Sequence, residues 1–203
     1  MADNTPTPDD RALVTALQHG DLQALGSLYD RYRLPVYRTA LVITRNDAAA
    51  EDILQDTFLR LHRYCQWVDV NRPLLPWLYR VTVNLSYSHL RKNARLLNSL
   101  EDWIERFVSG ADHAPENVTS RHETQRTLDE ALARLSTGQR TALVLYYLNG
   151  LSVEEVADVM EKPINTVKAT LHFARKNLRK HLPQFETLSP EIEMDLRYEA
   201  THL

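Results

Sequence analysis

The sequence predicts an all-α fold: two small helical domains joined by an acidic linker, the second containing a helix-turn-helix. Three observations predict it. Only five glycines occur in 203 residues, and no useful stretch alternates apolar and polar positions at the period of a strand. Apolar residues recur instead at three- and four-residue spacing. Ser, Asp and Asn stand just ahead of those stripes, where a helix start needs an acceptor. The composition, 43% hydrophobic and 25% charged, is that of a soluble globular chain long enough for two small helical domains.

The elements follow in order. Residues 1–9 read as disordered, and residues 10–19 as a short helix broken by Gly20. Asp21 is placed to cap a second helix, whose inward positions read as Leu22, Leu25, Tyr29, Tyr32 and Val36. Pro35 should kink or restart it, because proline lacks an N–H and clashes with the preceding turn. Asn46 or Asp47 caps a third helix over 48–65, with Ile53, Leu54, Phe58 and Leu61 on one stripe. Glu51, Asp52, Gln55, Asp56 and Arg60 lie on the opposite face. Residues 66–75 read as a loop, and a fourth helix runs from Pro76 to about Arg95.

The domains are then expected at 10–95 and 123–183, with a linker over 96–122 and an acidic tail over 184–203. A short helix capped by Ser99 and Asp102 fits within the linker. In the second half Leu128, Ala131, Leu132 and Leu135 mark one helix. Ser136 with Gln139, and Ser152 with Glu155, form capping boxes for the next two helices, the first closed by Gly150. After the turn Glu161–Lys162, Pro163 opens a basic final helix.

Charge is segregated. The net charge of −3 alone argues against a nucleic-acid binder, yet residues 72–95 and 160–181 each carry +5. Residues 96–120 and 183–203 each carry −4. The first basic block interleaves Trp77, Tyr79 and Tyr87 with Arg80, Arg91, Lys92 and Arg95, a mixture suited to stacking on bases and tracking a strand. Core packing is the competing reading for Trp77. The second block closes the helix-turn-helix. Val167, Leu171, Ala174 and Leu178 face its core, leaving Asn165, Lys168, Ala169, His172, Arg175, Lys176 and Arg179 outward. Thr166, Lys168 and His172 are candidates for base edges; Arg175, Lys176 and Arg179 suit phosphates.

Enzymatic chemistry finds no support. Phosphate-loop and zinc-protease motifs are missing, and no plausible Ser-His-Asp set occurs. No catalytic residue, cofactor or metal site is expected: the histidines lack ligand spacing, and Cys65, the single cysteine, reads as a small buried hydrophobe. No apolar run approaches a bilayer span, and the start MADNTPTPDD lacks a signal peptide's pattern, so a cytoplasmic protein is expected.

The strings DLQALGSLYDRYRLPVYRTAL, DAAAEDILQDTFLRLHRY and PWLYRVTVNLSYSHLRK resemble the first conserved domain of extracytoplasmic-function sigma factors. The string from Leu128 to Lys180 resembles their second. The resemblance implies a promoter-specificity subunit that binds core RNA polymerase and promoter DNA, with an anti-sigma factor as a further partner. It implies polymerase docking through Asp52, Gln55, Asp56 and Leu59. Melting and reading of the −10 element is implied for Asn71, Arg72, Arg80 and Asn84, beside the basic and aromatic Trp77, Arg91 and Lys92. The recognition helix would read the −35 element as duplex, through Asn165, Thr166, Lys168, His172, Arg175, Lys176 and Arg179. The competing readings are a conventional helix-turn-helix regulator and a degenerate sigma-like protein that binds no DNA. Glu161 stands where the family often has glycine, which puts a side chain at a turn that favours positive φ.

Overall fold

The computed structural model describes residues 8–104 and 130–181, with side chains over 10–94 and 130–180. The described residues form helices and no strand. The first half comprises α1 (Pro8–Gln18), α2 (Leu22–Thr44), α3 (Asp47–Tyr64), a 3₁₀ turn (Cys65–Trp67) and α4 (Leu74–Ile104). The second comprises a helical turn at 130–133, α5 (Thr137–Leu143) running into a π-helical segment (Val144–Leu148), α6 (Val153–Met160) and α7 (Ile164–His181).

Local chemistry sets most of the boundaries. Gly20, at φ 94, ends α1, and the Asp21 carboxylate accepts from the Gln23 N–H at the start of α2. Asn46 caps α3 through Ala49 N–H. Both expected capping boxes form, at Ser136 with Gln139 and at Ser152 with Glu155. Each satisfies two donors that an open helix start would leave bare.

Other expectations are corrected. α2 does not restart at Pro35 but continues to Thr44, because packing against α1, α3 and α4 outweighs the roughly 3 kcal/mol that an interior proline costs. Its buried positions are Ala24, Leu28, Val36, Thr39, Ala40, Ile43 and Thr44, whereas Leu22 is 62% exposed. Leu25, Tyr29 and Tyr32 are half-buried, packed against the margin of the first-half core. Helix α4 begins two residues before the expected Pro76, which falls in its first turn, where no N–H partner is lost. It also continues to Ile104 without a new start at Ser99. The rest of the linker and the tail over 184–203 lie outside the described residues.

The two halves share a core. Ile43, Tyr79 and Val83 from the first half are buried in one cluster with Leu135, Leu145, Leu151, Val156, Val159, Val167 and Leu171 from the second. Polar links cross the same boundary. Arg140, buried, donates to the carbonyls of Leu135 at 2.6 Å and Ile43 at 3.2 Å. Asn149 Nδ2 donates to Thr39 Oγ1 at 2.9 Å, and Tyr87 Oη to Thr141 Oγ1 at 3.1 Å. Burial, and secondarily Arg45, holds the Arg140 guanidinium below its ordinary pKa.

Candidate polymerase and promoter surfaces

The first surface is the outer face of α3. Asp52, Gln55, Asp56 and Leu59 are spaced by three and four residues, so one face carries all four, and all are exposed. The opposite face buries Ile53, Leu54, Thr57, Phe58 and Leu61. Leu59 is 63% exposed beside three polar groups, an apolar side chain with no core to fill.

The second surface runs from the loop after the 3₁₀ turn along α4. The Gln18 amide ties this turn to α1, donating to the carbonyls of Cys65 at 2.9 Å and Val68 at 3.0 Å. Asp69 then shapes the loop tip. Its carboxylate accepts from Asn71 N–H at 2.9 Å and lies 3.7 Å from Arg72 Nε. On α4, Trp77, Arg80, Asn84 and Arg91 fall on one face by helical spacing; Arg80, Asn84 and Arg91 are exposed, as is Lys92 beside them. Trp77 is half-buried against the first-half core. The aromatic-stacking expectation is corrected for two residues. Tyr79 lies 2% exposed in the shared core, where burial raises its phenol's pKa, and Tyr87 is half-buried against Thr141.

The third surface is α7. Asn165, Lys168, His172, Lys176 and Arg179 are exposed within one arc of the helix, and Thr166 is exposed at its first turn. Arg175 departs from expectation: it is only 8% exposed and donates to Tyr147 Oη at 3.1 Å. It flanks the Leu171–Ala174 stripe, so the π segment that lands there covers it. The turn before α7 is made by Glu161 at φ 54, a left-handed conformation that glycine adopts without strain.

Sequence reasoning missed several residues. Asp69 sets the loop but lies next to the residues that drew attention. Arg140 joins the halves from a position that reads as ordinary helix surface. Trp67 is 76% exposed, its ring 5.7 Å from that of Tyr64. Its place in a predicted loop was the available signal. Phe173 is exposed beside His172, their rings 5.5 Å apart.

Comparison with known proteins places these surfaces in context. Residues 28–96 match the family model for sigma-70 region 2, and residues 125–178 that for sigma-70 region 4. The ECF RNA polymerase sigma-E factor of Salmonella typhimurium is 30% identical over 176 residues, covering 82% of this chain and 91% of that protein. The ECF RNA polymerase sigma factor SigW of Bacillus subtilis is 28% identical over 181 residues, covering 83% and 94%. Among solved structures, CnrH in complex with the cytosolic domain of CnrY superposes with a TM-score of 0.64 at 25% identity, covering 87% of this chain and 99% of that one. The sigma factor RpoE in complex with the anti-sigma factor NepR, from Bartonella quintana, gives 0.61 at 25% identity, covering 77% and 97%.

Proposed function

The chain belongs to the extracytoplasmic-function RNA polymerase sigma factors, and from that membership we propose that it docks on core polymerase and directs promoter-specific initiation. Within this family the nucleotide chemistry is polymerase's own, so the chain is not an enzyme. The observation that carries the finer reading is the separation of three exposed faces on one chain: the acidic and apolar face of α3, the face of α4 with its loop, and the basic arc of α7.

In this reading Asp52, Gln55, Asp56 and Leu59 meet polymerase. Asn71, Arg72, Trp77, Arg80, Asn84, Arg91 and Lys92 hold the −10 strand, and the α7 arc reads the −35 duplex. Melting requires unstacking, a few kcal/mol per step, which a cationic groove and base contacts offset. The likeness to CnrH, solved with the cytosolic domain of CnrY, and to RpoE, solved with the anti-sigma factor NepR, supports an anti-sigma factor as a partner here too. A site of action in the cytoplasm follows from the polymerase partner. No described helix is long and apolar enough to cross a membrane.

Transcription with core polymerase tests the proposal. A promoter library incubated with core enzyme and this chain should yield initiation at a defined subset of sequences. Duplex binding without polymerase-dependent initiation would favour a conventional helix-turn-helix regulator. Polymerase binding without any DNA selection would favour a degenerate sigma-like protein.

A further inference from the structure

Arg80 is not free in this arrangement. Its Nη2 donates to the Asp158 carbonyl at 2.6 Å, at the end of α6, and its Nε lies 4.0 Å from Glu161 Oε1, in the turn before α7. The contact spans 78 positions of sequence and is imposed by packing. Tyr79 and Val83, flanking Arg80 on α4, are buried in one cluster with Val156, Ala157, Val159 and Met160 of α6. The end of α6 is therefore held against Arg80.

Two features single out the carboxylate. Glu161 is the only acid in residues 160–181, a segment of net +5, and it sits where that segment meets the other basic block, residues 72–95. Its backbone occupies the left-handed region at φ 54, which glycine tolerates better, so the side chain is what glutamate adds to this turn. A guanidinium fork recognises carboxylate and phosphate oxygens by the same geometry and charge.

We infer that Glu161, with the Asp158 carbonyl, occupies Arg80 in place of a DNA phosphate, so that the helix-turn-helix turn competes with the promoter strand for α4. The inference rests on the proposed reading of Arg80 as a strand contact. Glu161 acts here as a positioning residue: it withholds Arg80 in the closed chain and leaves the recognition arc of α7 exposed.

A double-mutant cycle on the full chain tests it, with a fluorescein-labelled oligo-dT strand as probe. Glu161→Gln should bind the strand about two- to fivefold more tightly than the unmodified chain, the range by which an exposed ion pair biases an equilibrium. The gain should shrink as salt screens the pair and vanish in an Arg80→Ala background. Glu161→Gly removes the same carboxylate while relaxing the turn, so it gives the same reading should Glu161→Gln fold poorly. An equal gain in the Arg80→Ala background would mean a general charge effect and overturn the inference, as would no gain at all. Arg80→Ala placed on Glu161→Gln, where no carboxylate competes, separates the two failures. If strand binding equals that of Glu161→Gln alone, the assignment of Arg80 to DNA falls. If it weakens while Glu161→Gln itself matches the unmodified chain, only the competitor falls.

Discussion

Two cations on α7, seven residues apart, are put to different uses by their surroundings. Lys168 is exposed on the basic arc, whereas Arg175 is buried against Tyr147. Arg175→Ala should therefore act on the fold. Deleting a buried donor and its aliphatic stem should lower stability by about 1–3 kcal/mol, read as a lower calorimetric melting temperature. Lys168→Ala should leave that temperature unchanged and weaken duplex binding. If it reads a base, a promoter library should show relaxed preference at one position, worth about 1–3 kcal/mol of discrimination. A stable Arg175→Ala protein with uniformly weakened DNA binding would restore Arg175 to the phosphate contacts. Residue type and helical spacing alone rank the two alike, because both lie off the apolar stripe.

At the scale of the element, α3 carries two contrasting faces. Its buried stripe holds the first-half core, and its outer face has no partner within the described chain. Asp52→Arg with Asp56→Arg should leave circular dichroism and melting unchanged, since both positions point away from Ile53, Leu54, Phe58 and Leu61. The same double variant should lose core polymerase by at least about tenfold, because like-charge juxtaposition at an interface costs several kcal/mol. Normal co-purification with core enzyme would remove this face from the docking surface. Helix α6 depends on its cap. Ser152 accepts from Glu155 N–H, and the Glu155 carboxylate accepts from Ser152 N–H. Ser152→Ala should lower stability by about 1 kcal/mol, measurable by urea titration with an unchanged slope.

For the whole molecule, the shared core makes the two halves one thermodynamic object. Ile43 and Tyr79 are buried among residues of α5, α6 and α7, and Arg140 links the carbonyls of Leu135 and Ile43. Thermal unfolding should be a single transition for the full chain, with near- and far-ultraviolet signals coincident. Arg140→Ala should lower stability by about 1–3 kcal/mol through the buried carbonyls it strands, and should split the transition into two. Independent melting of the halves in the unmodified chain would show that the joint core contributes little. The same packing bears on function, since it sets the end of α6 and the Glu161 turn over part of α4.

The sequence by itself determined the helices, their caps and the outward face of α3. Those features depend on residues three or four positions apart, such as Ser136 with Gln139 or Asp52 with Asp56, and that information is complete within one turn. It also carried the helix-turn-helix and the basic arc of α7, because an apolar stripe defines its own opposite face. Tertiary structure decided which flank positions were covered. Arg175 is buried against Tyr147 of the π segment, and Tyr87 is half-buried against Thr141 of α5. Leu22, the first residue of α2, stayed exposed, and the helix buries Ala24 and Leu28 instead. Likewise the continuity of α2 through Pro35, the role of Arg140, the Asn149–Thr39 link and the engagement of Arg80 at the end of α6 join elements 78 to 110 residues apart or depend on their packing. No local pattern states which helix will arrive at a given face. That is settled by the summed burial of the whole core, to which each separated residue contributes only a small part.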